Sequence, residues 1–180
     1  MKKSKSLMKP ADSQTKILAE AVIAISLSAV LSYIRIFRMP QGGSVTAGSM
    51  IPILWFALRR GLRAGLEAST VYGLVKLALP PFEIYHPIQV LLDYPLAFGT
   101  LGLTGAFKKY PLIGVGIGML GRFICHFVSG VVFFATFAPE GIHPLIYSLL
   151  YNGSYMLPEF IISAILMYML VKNKILEIYL

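Results

Sequence analysis

Six ionisable residues stand inside apolar runs of this chain: Glu67, Lys76, Asp93, Arg122, His126 and Glu159. Placing Arg, Lys or Asp at the centre of a membrane helix costs roughly 2.5–3.5 kcal/mol, so each needs a partner or a purpose. Their depths follow from a rise of about 1.5 Å per helical residue. Asp93 lies about 9 Å beyond Pro87, Asn152 about 12 Å beyond Pro144, and His126 about 16 Å before Phe137. Three polar side chains therefore share one half of the apolar zone, which predicts a cavity opening to that side. Tyr94 adjoins Asp93, Phe133 and Phe134 lie about two turns above His126, and Tyr147, Tyr151 and Tyr155 repeat every four residues around Asn152. One carboxylate among ring faces suits a flat organic cation. The acid cancels its charge, each face adds roughly 0.5–2 kcal/mol, and Asn and His direct hydrogen bonds. The competing reading is structural: Asp93 pairs with Lys76 or Arg122, and the tyrosines pack against neighbours or form an interfacial belt.

Other chemistries fit these residues less well. Ser129 follows His126 by three positions, but a Ser and His on one helix at that spacing rarely reach attack geometry, and no Gly-x-Ser-x-Gly turn is present. The string GIGMLG at 116–121 matches a dinucleotide fingerprint only literally, because no strand precedes it and no ribose-binding acid follows. Gly114 and Gly118 read instead as a helix-packing seam. There is no phosphate loop, and the one cysteine, Cys125, excludes an intrachain disulfide and a thiolate cluster. Catalytic residues, metal ligands and cofactors are therefore not expected.

The elements that must carry these residues are membrane helices. Of 180 residues, 57% are hydrophobic and 13% charged, with mean hydropathy +0.74, which excludes an ordinary soluble domain. At roughly 20 residues per span there is room for about six helices and no attached ATPase domain. Apolar runs at 17–37, 50–58, 62–79, 87–107, 111–137 and 145–171, bounded by charge, Pro or Gly, predict six, the second short. The expected organisation is a tail at 1–14, a six-helix domain at 15–174 and a short end at 175–180. The net charge of +8 is no nucleic-acid signal, because the basic residues sit at the ends of apolar runs. Lys2, Lys3, Lys5, Lys9, Lys16, Arg59, Arg60, Arg63, Lys108, Lys109, Lys172 and Lys174 fall on one side, against Arg35 and Arg38 on the other. The positive-inside rule then puts both termini in the cytoplasm.

Two further features concern packing and access. The polar segment 39–49, MPQGGSVTAGS, is too long for a tight turn, and reads either as a lid over the bundle or as a surface loop. Ala24, Ser28 and Ser32 form a small-residue stripe that admits close approach of another helix, from this chain or from a partner; Ala64 and Ala68 allow the same.

Six strings carry a resemblance: MPQGGSV at 39–45, PILWFALRRGLRAGL at 52–66, LLDYPLAF at 91–98, RFICHFVSGVVFF at 122–134, FAPEG at 137–141 and YSLLYNGSYMLPEF at 147–160. In order and spacing the chain resembles, from about residue 15, the thiamine-specific substrate-binding (S) component of energy-coupling factor (ECF) transporters. That resemblance implies an all-α membrane protein with six transmembrane helices in an S-component bundle, sited in a prokaryotic cell membrane. It implies a thiamine pocket in the outer half, and as partners a transmembrane coupling subunit with two cytoplasmic ATPases. It assigns Asp93, Tyr94, His126, Tyr147 and Asn152 to the ligand, with Tyr85, Arg122, Gly130 and Phe134 completing the set. Some family members have Glu at the position of Asp93 and Trp at that of Phe134. The family's Ala-x-x-x-Ala docking seam has its nearest counterpart in Ala24 and Ser28. The alternative is a self-sufficient, ion-coupled permease for the same vitamin, with Asp93, His126 or Arg122 relaying protons.

Overall fold

A computed structural model describes residues 10–80 and 84–173, with side chains from residue 14 onward. The expectations for the N-terminal tail with Lys2, Lys3, Lys5 and Lys9, and for Lys174 and the C-terminal end, lie outside the described residues.

Six helices form. Helix one is Pro10–Leu31, helix two Ile51–Arg60 and helix three Leu62–Ala78. Helix four is a composite: an α segment Pro87–Leu91, a π turn Leu92–Leu96, Ala97–Gly99, and a 3₁₀ segment Thr100–Ala106. Helix five is Pro111–Phe133 and helix six Pro144–Lys172. Proline opens helices two, four, five and six, where its missing N–H is unpaired in any case. His86 and His143 cap helices four and six by accepting from Ile88 N and Leu145 N. Helices one, five and six are each long and apolar enough to cross a bilayer. Ten-residue helix two is not; it forms the centre of the core, with Ile53, Leu54, Phe56, Ala57 and Leu58 buried. Leu18, Val22, Ile23 and Leu27 on helix one, Leu120 and Ile124 on helix five, and Leu157, Ile161 and Ile165 on helix six are exposed, as a face solvated by lipid requires.

The first apolar run does not stay helical to residue 37. Helix one stops at Leu31, and Arg35–Arg38 (β1) pairs antiparallel with Ser44–Thr46 (β2). The turn between them has Gly42 and Gly43 at φ +84° and +82°, a region that L-residues with side chains rarely enter. The fifth run also ends early: helix five closes at Phe133, and Ala135–Phe137 forms a separate 3₁₀ turn.

Small residues set helix separation. A Cβ on Gly114 would sit 2.9 Å from Thr104 O, and one on Gly118 2.7 Å from Thr104 Oγ1, so helices four and five approach closely at Gly114 and Gly118. The stripe on helix one is likewise used within the chain. Ala24 is 3% and Ser28 0% exposed, Tyr72 Oη donates to Ser28 O at 3.2 Å, and Lys76 Nζ donates to Ser32 Oγ at 3.0 Å. The docking candidates Ala24 and Ser28 are thus both buried within the chain's own packing. At the basic end, Glu20 pairs with Arg59 and Arg60, and Lys108 Nζ donates to Arg59 O, tying helices one, two and five's approach loop together.

Candidate substrate-binding site

The π turn explains how Asp93 enters the bundle. Pro95 has no N–H to give to Leu91 O, and its ring would clash with that carbonyl in a regular helix; the wider turn over Leu92–Leu96 absorbs the defect. Asp93 sits in that turn and faces helix five. Its Oδ1 accepts from His126 Nδ1 at 3.0 Å; its Oδ2 accepts from Gln89 Nε2 at 2.7 Å and Ser129 Oγ at 2.9 Å. The Asp93 and His126 side chains are 14% and 13% exposed. An ionised carboxylate only accepts, so His126 Nδ1 is the donor of this pair. The ring's Nε2 is buried without a hydrogen-bond partner.

Helix six supplies the facing wall. Asn152 Nδ2 donates to Ser148 O at 3.0 Å and to His126 O at 3.3 Å, while its Oδ1 accepts from Tyr155 Oη at 2.8 Å. The amide is thereby fixed in one orientation. The three residues that depth arithmetic placed together are in fact neighbours, and Asp93 pairs with neither Lys76 nor Arg122.

Around this centre the rings close a cavity. Asp93, Tyr94, Arg122, His126, Gly130, Phe134, Tyr147 and Asn152 all line it. Tyr85 stands one layer out, edge to face with Phe134 at 5.0 Å between ring centroids. Gly130 is where helix six comes closest, since a Cβ there would collide with Ser148 Oγ. The segment expected as a lid or loop is the β1–β2 hairpin, and its turn covers the cavity with Gln41, Gly42, Gly43 and Ser44. Tyr151 Oη clamps that turn, accepting from Gln41 N at 2.8 Å and donating to Gly42 O at 3.0 Å. A Cβ on Gly43 would stand 2.7 Å from the Tyr155 ring, so the turn lies flat on helix six.

Sequence reasoning missed Gln89 as a partner of Asp93 and weighed Ser129 only as a nucleophile. Both were accessible from spacing: Gln89 and Asp93 are i and i+4 on one helix, and His126 and Ser129 are i and i+3. Ser129 is fully buried with its hydroxyl committed to Asp93, a poor position for attack on any substrate. Among the described residues no three His, Cys, Asp or Glu side chains converge as a metal set.

The model of the family described as thiamine transporter protein (Thia_YuaJ) matches residues 18–178. The chain belongs to this thiamine transporter family. It is 40% identical over 171 residues to the thiamine transporter ThiT of Bacillus subtilis strain 168, covering 85% of this chain and 88% of that protein. Identity to the ThiT of Lacticaseibacillus paracasei is 32% over 163 residues, covering 78% and 79% respectively. The solved structure of ThiT from Listeria monocytogenes superposes with a TM-score of 0.81 at 27% identity, covering 89% of this chain and 96% of that one. The helical membrane bundle described above is thus the bundle of the thiamine transporter family.

Proposed function

We propose that this protein binds thiamine from outside the cell in the cavity beside Asp93 and passes it inward when docked to an ATP-driven ECF coupling module. The observation that carries the reading is the Asp93 carboxylate, opened toward a ring-lined hollow and free of any Lys or Arg partner among the described residues. Thiamine joins an aminopyrimidine to a permanently charged thiazolium. The carboxylate answers the charge, Tyr94, Phe134 and Tyr147 offer faces for cation–π contact, and Asn152 with the unpaired His126 Nε2 supplies directed polar contacts. Membership in the thiamine transporter family and the names of its relatives point to the same ligand.

In this reading the protein lies in the cell membrane with both termini cytoplasmic, which places the hairpin and the cavity mouth outside. The chain contributes recognition and a path, and ATP hydrolysis by the partner subunits contributes the drive. Titration of the purified protein with thiamine, its pyrimidine half and riboflavin, followed by Trp55 and tyrosine fluorescence, tests the pocket: tight saturation by thiamine alone is expected, and equal response to riboflavin overturns the assignment. Reconstituted vesicles test the coupling. Uptake is expected only with the ATPase module present, and proton-driven uptake by this chain alone would establish the permease instead.

A further inference from the structure

One of the three donors to Asp93 is itself held from behind. A carboxylate offers about four lone-pair sites. Gln89 Nε2 at 2.7 Å and Ser129 Oγ at 2.9 Å fill both sites on Oδ2, and His126 Nδ1 at 3.0 Å takes one on Oδ1. The site left over is therefore on Oδ1. What fixes the donors differs. The Ser129 hydroxyl turns about its C–O bond to suit its acceptor, and the His126 ring borders the cavity with its second nitrogen unpartnered. Gln89 also borders the cavity, but it is 1% exposed and its amide is engaged at both ends: Oε1 accepts from Tyr85 N at 3.1 Å while Nε2 donates to Asp93. Only the amide oxygen can accept from a backbone N–H, and only the amide nitrogen can donate to a carboxylate, so the group has one orientation. A single side chain thus spans from the acid to the outer rim, where the Tyr85 ring packs against Phe134 of the cavity wall.

We propose that Gln89 is a positioning residue for ligand binding: anchored at the Tyr85 N–H, it saturates Asp93 Oδ2 and so aims the open Oδ1 site at the cavity. The inference rests on the reading of Asp93 as the seat of the thiamine cation, and adds the residue that fixes how the acid faces it. Without the Gln89 donor, Oδ2 regains an open site and the carboxylate is free to turn about its Cβ–Cγ bond. The charge remains, but the ligand must then order it, and that ordering is subtracted from affinity. Gln89 acts in this way through Asp93, so its contribution disappears when residue 93 has no charge to aim.

The test is a double-mutant cycle on the purified full-length protein, titrated calorimetrically with thiamine. Gln89→Met keeps the length and loses both hydrogen bonds; Gln89→Asn keeps the polarity but is one methylene too short to meet both partners. Each is made in the unsubstituted protein and in Asp93→Asn. In the unsubstituted background each is expected to weaken thiamine by about tenfold to a hundredfold, the scale of one hydrogen bond to a charged group. In the Asp93→Asn background the same changes are expected to cost about threefold or less. Equal losses in the two backgrounds would mean that Gln89 touches the ligand directly or supports the bundle at large, and would overturn the positioning role. So would undiminished affinity in either single variant, or loss of the folded state in both, read from the melting temperature. Failure of the unsubstituted protein to bind thiamine, or unchanged binding by Asp93→Asn alone, sinks the parent reading instead.

Discussion

Among the described residues two carboxylates lie deep in this bundle without a Lys or Arg partner, and they are built to different ends. Asp93 takes three side-chain donors, from Gln89, His126 and Ser129, yet keeps an open edge on the cavity. Glu159, on helix six, is 1% exposed and closed off: its Oε2 accepts from Thr46 N at 2.6 Å and its Oε1 from Thr46 Oγ1 at 2.7 Å. The donors of Asp93 come from the helices that frame the cavity. Those of Glu159 come from Thr46 of β2, the returning strand of the hairpin that covers it, and, at 3.5 Å, from Ser49 Oγ just beyond it. A buried acid without a counter-ion is thus not in itself a ligand site; what decides is whether its coordination leaves space beside it. Helix six joins the two regions, because Tyr151, Tyr155 and Glu159 recur every four residues and seat the hairpin at its turn, at Gly43 and at Thr46 respectively.

The largest effect is expected at Asp93. Asp93→Asn keeps the shape and most hydrogen bonds but removes the charge, which should cost thiamine binding about 2–5 kcal/mol, the range for one partner of a desolvated charge pair. Isothermal titration calorimetry measures this directly, and an unchanged melting temperature of the detergent-solubilised protein shows that the bundle is intact. Near-normal affinity would remove Asp93 from the binding role.

Glu159→Ala should act in the opposite order, on the hairpin first and the ligand second. It orphans Thr46 N–H and takes one partner from Thr46 Oγ1, which keeps Ser49, a loss of about 1–3 kcal/mol in local stability. Hydrogen exchange should therefore quicken in residues 39–49 and stay unchanged in helices five and six. Because Gln41–Ser44 line the cavity, bound thiamine should also dissociate faster, with a smaller change in its association rate. Glu159→Gln, which retains an acceptor, should fall between. Uniform exchange through all helices would mean that Glu159 supports the whole bundle and does not act on the hairpin. A smaller version of the effect is expected from Tyr151→Phe, which keeps the ring contacts at 5.6 and 6.2 Å but gives up the hydroxyl that joins Gln41 N to Gly42 O. At about 0.5–1.5 kcal/mol per hydrogen bond, thiamine release should accelerate several-fold at most, which stopped-flow fluorescence resolves.

The sequence made the helices and the meeting of Asp93, His126 and Asn152 readable for a simple reason. Hydropathy runs punctuated by Pro and Gly fix length, and length fixes depth. Depth says nothing about rotation about a helix axis. The stripe at Ala24 and Ser28 was accordingly ambiguous between an inner and an outer face, and packing against Tyr72 and helix three decided it. The hairpin was hidden because Arg35–Arg38 continues an apolar run, and its strand character arises only on pairing with Ser44–Thr46.

Glu67 completes the series and should show the smallest effect. By its place in an apolar run it ranks with Asp93 and Glu159, but it pairs with Arg63 one turn away at 3.1 Å, and both side chains are largely exposed. An exposed i,i+4 pair contributes about 0.3–0.5 kcal/mol, screened by salt. Glu67→Gln should therefore leave thiamine affinity unchanged by calorimetry and lower the melting temperature by no more than a degree or two, a shift that vanishes at high ionic strength. A loss of binding in Glu67→Gln comparable to that in Glu159→Ala would mean that acids in this chain act through the overall charge of the bundle, and the distinction drawn from their separate coordination would fail.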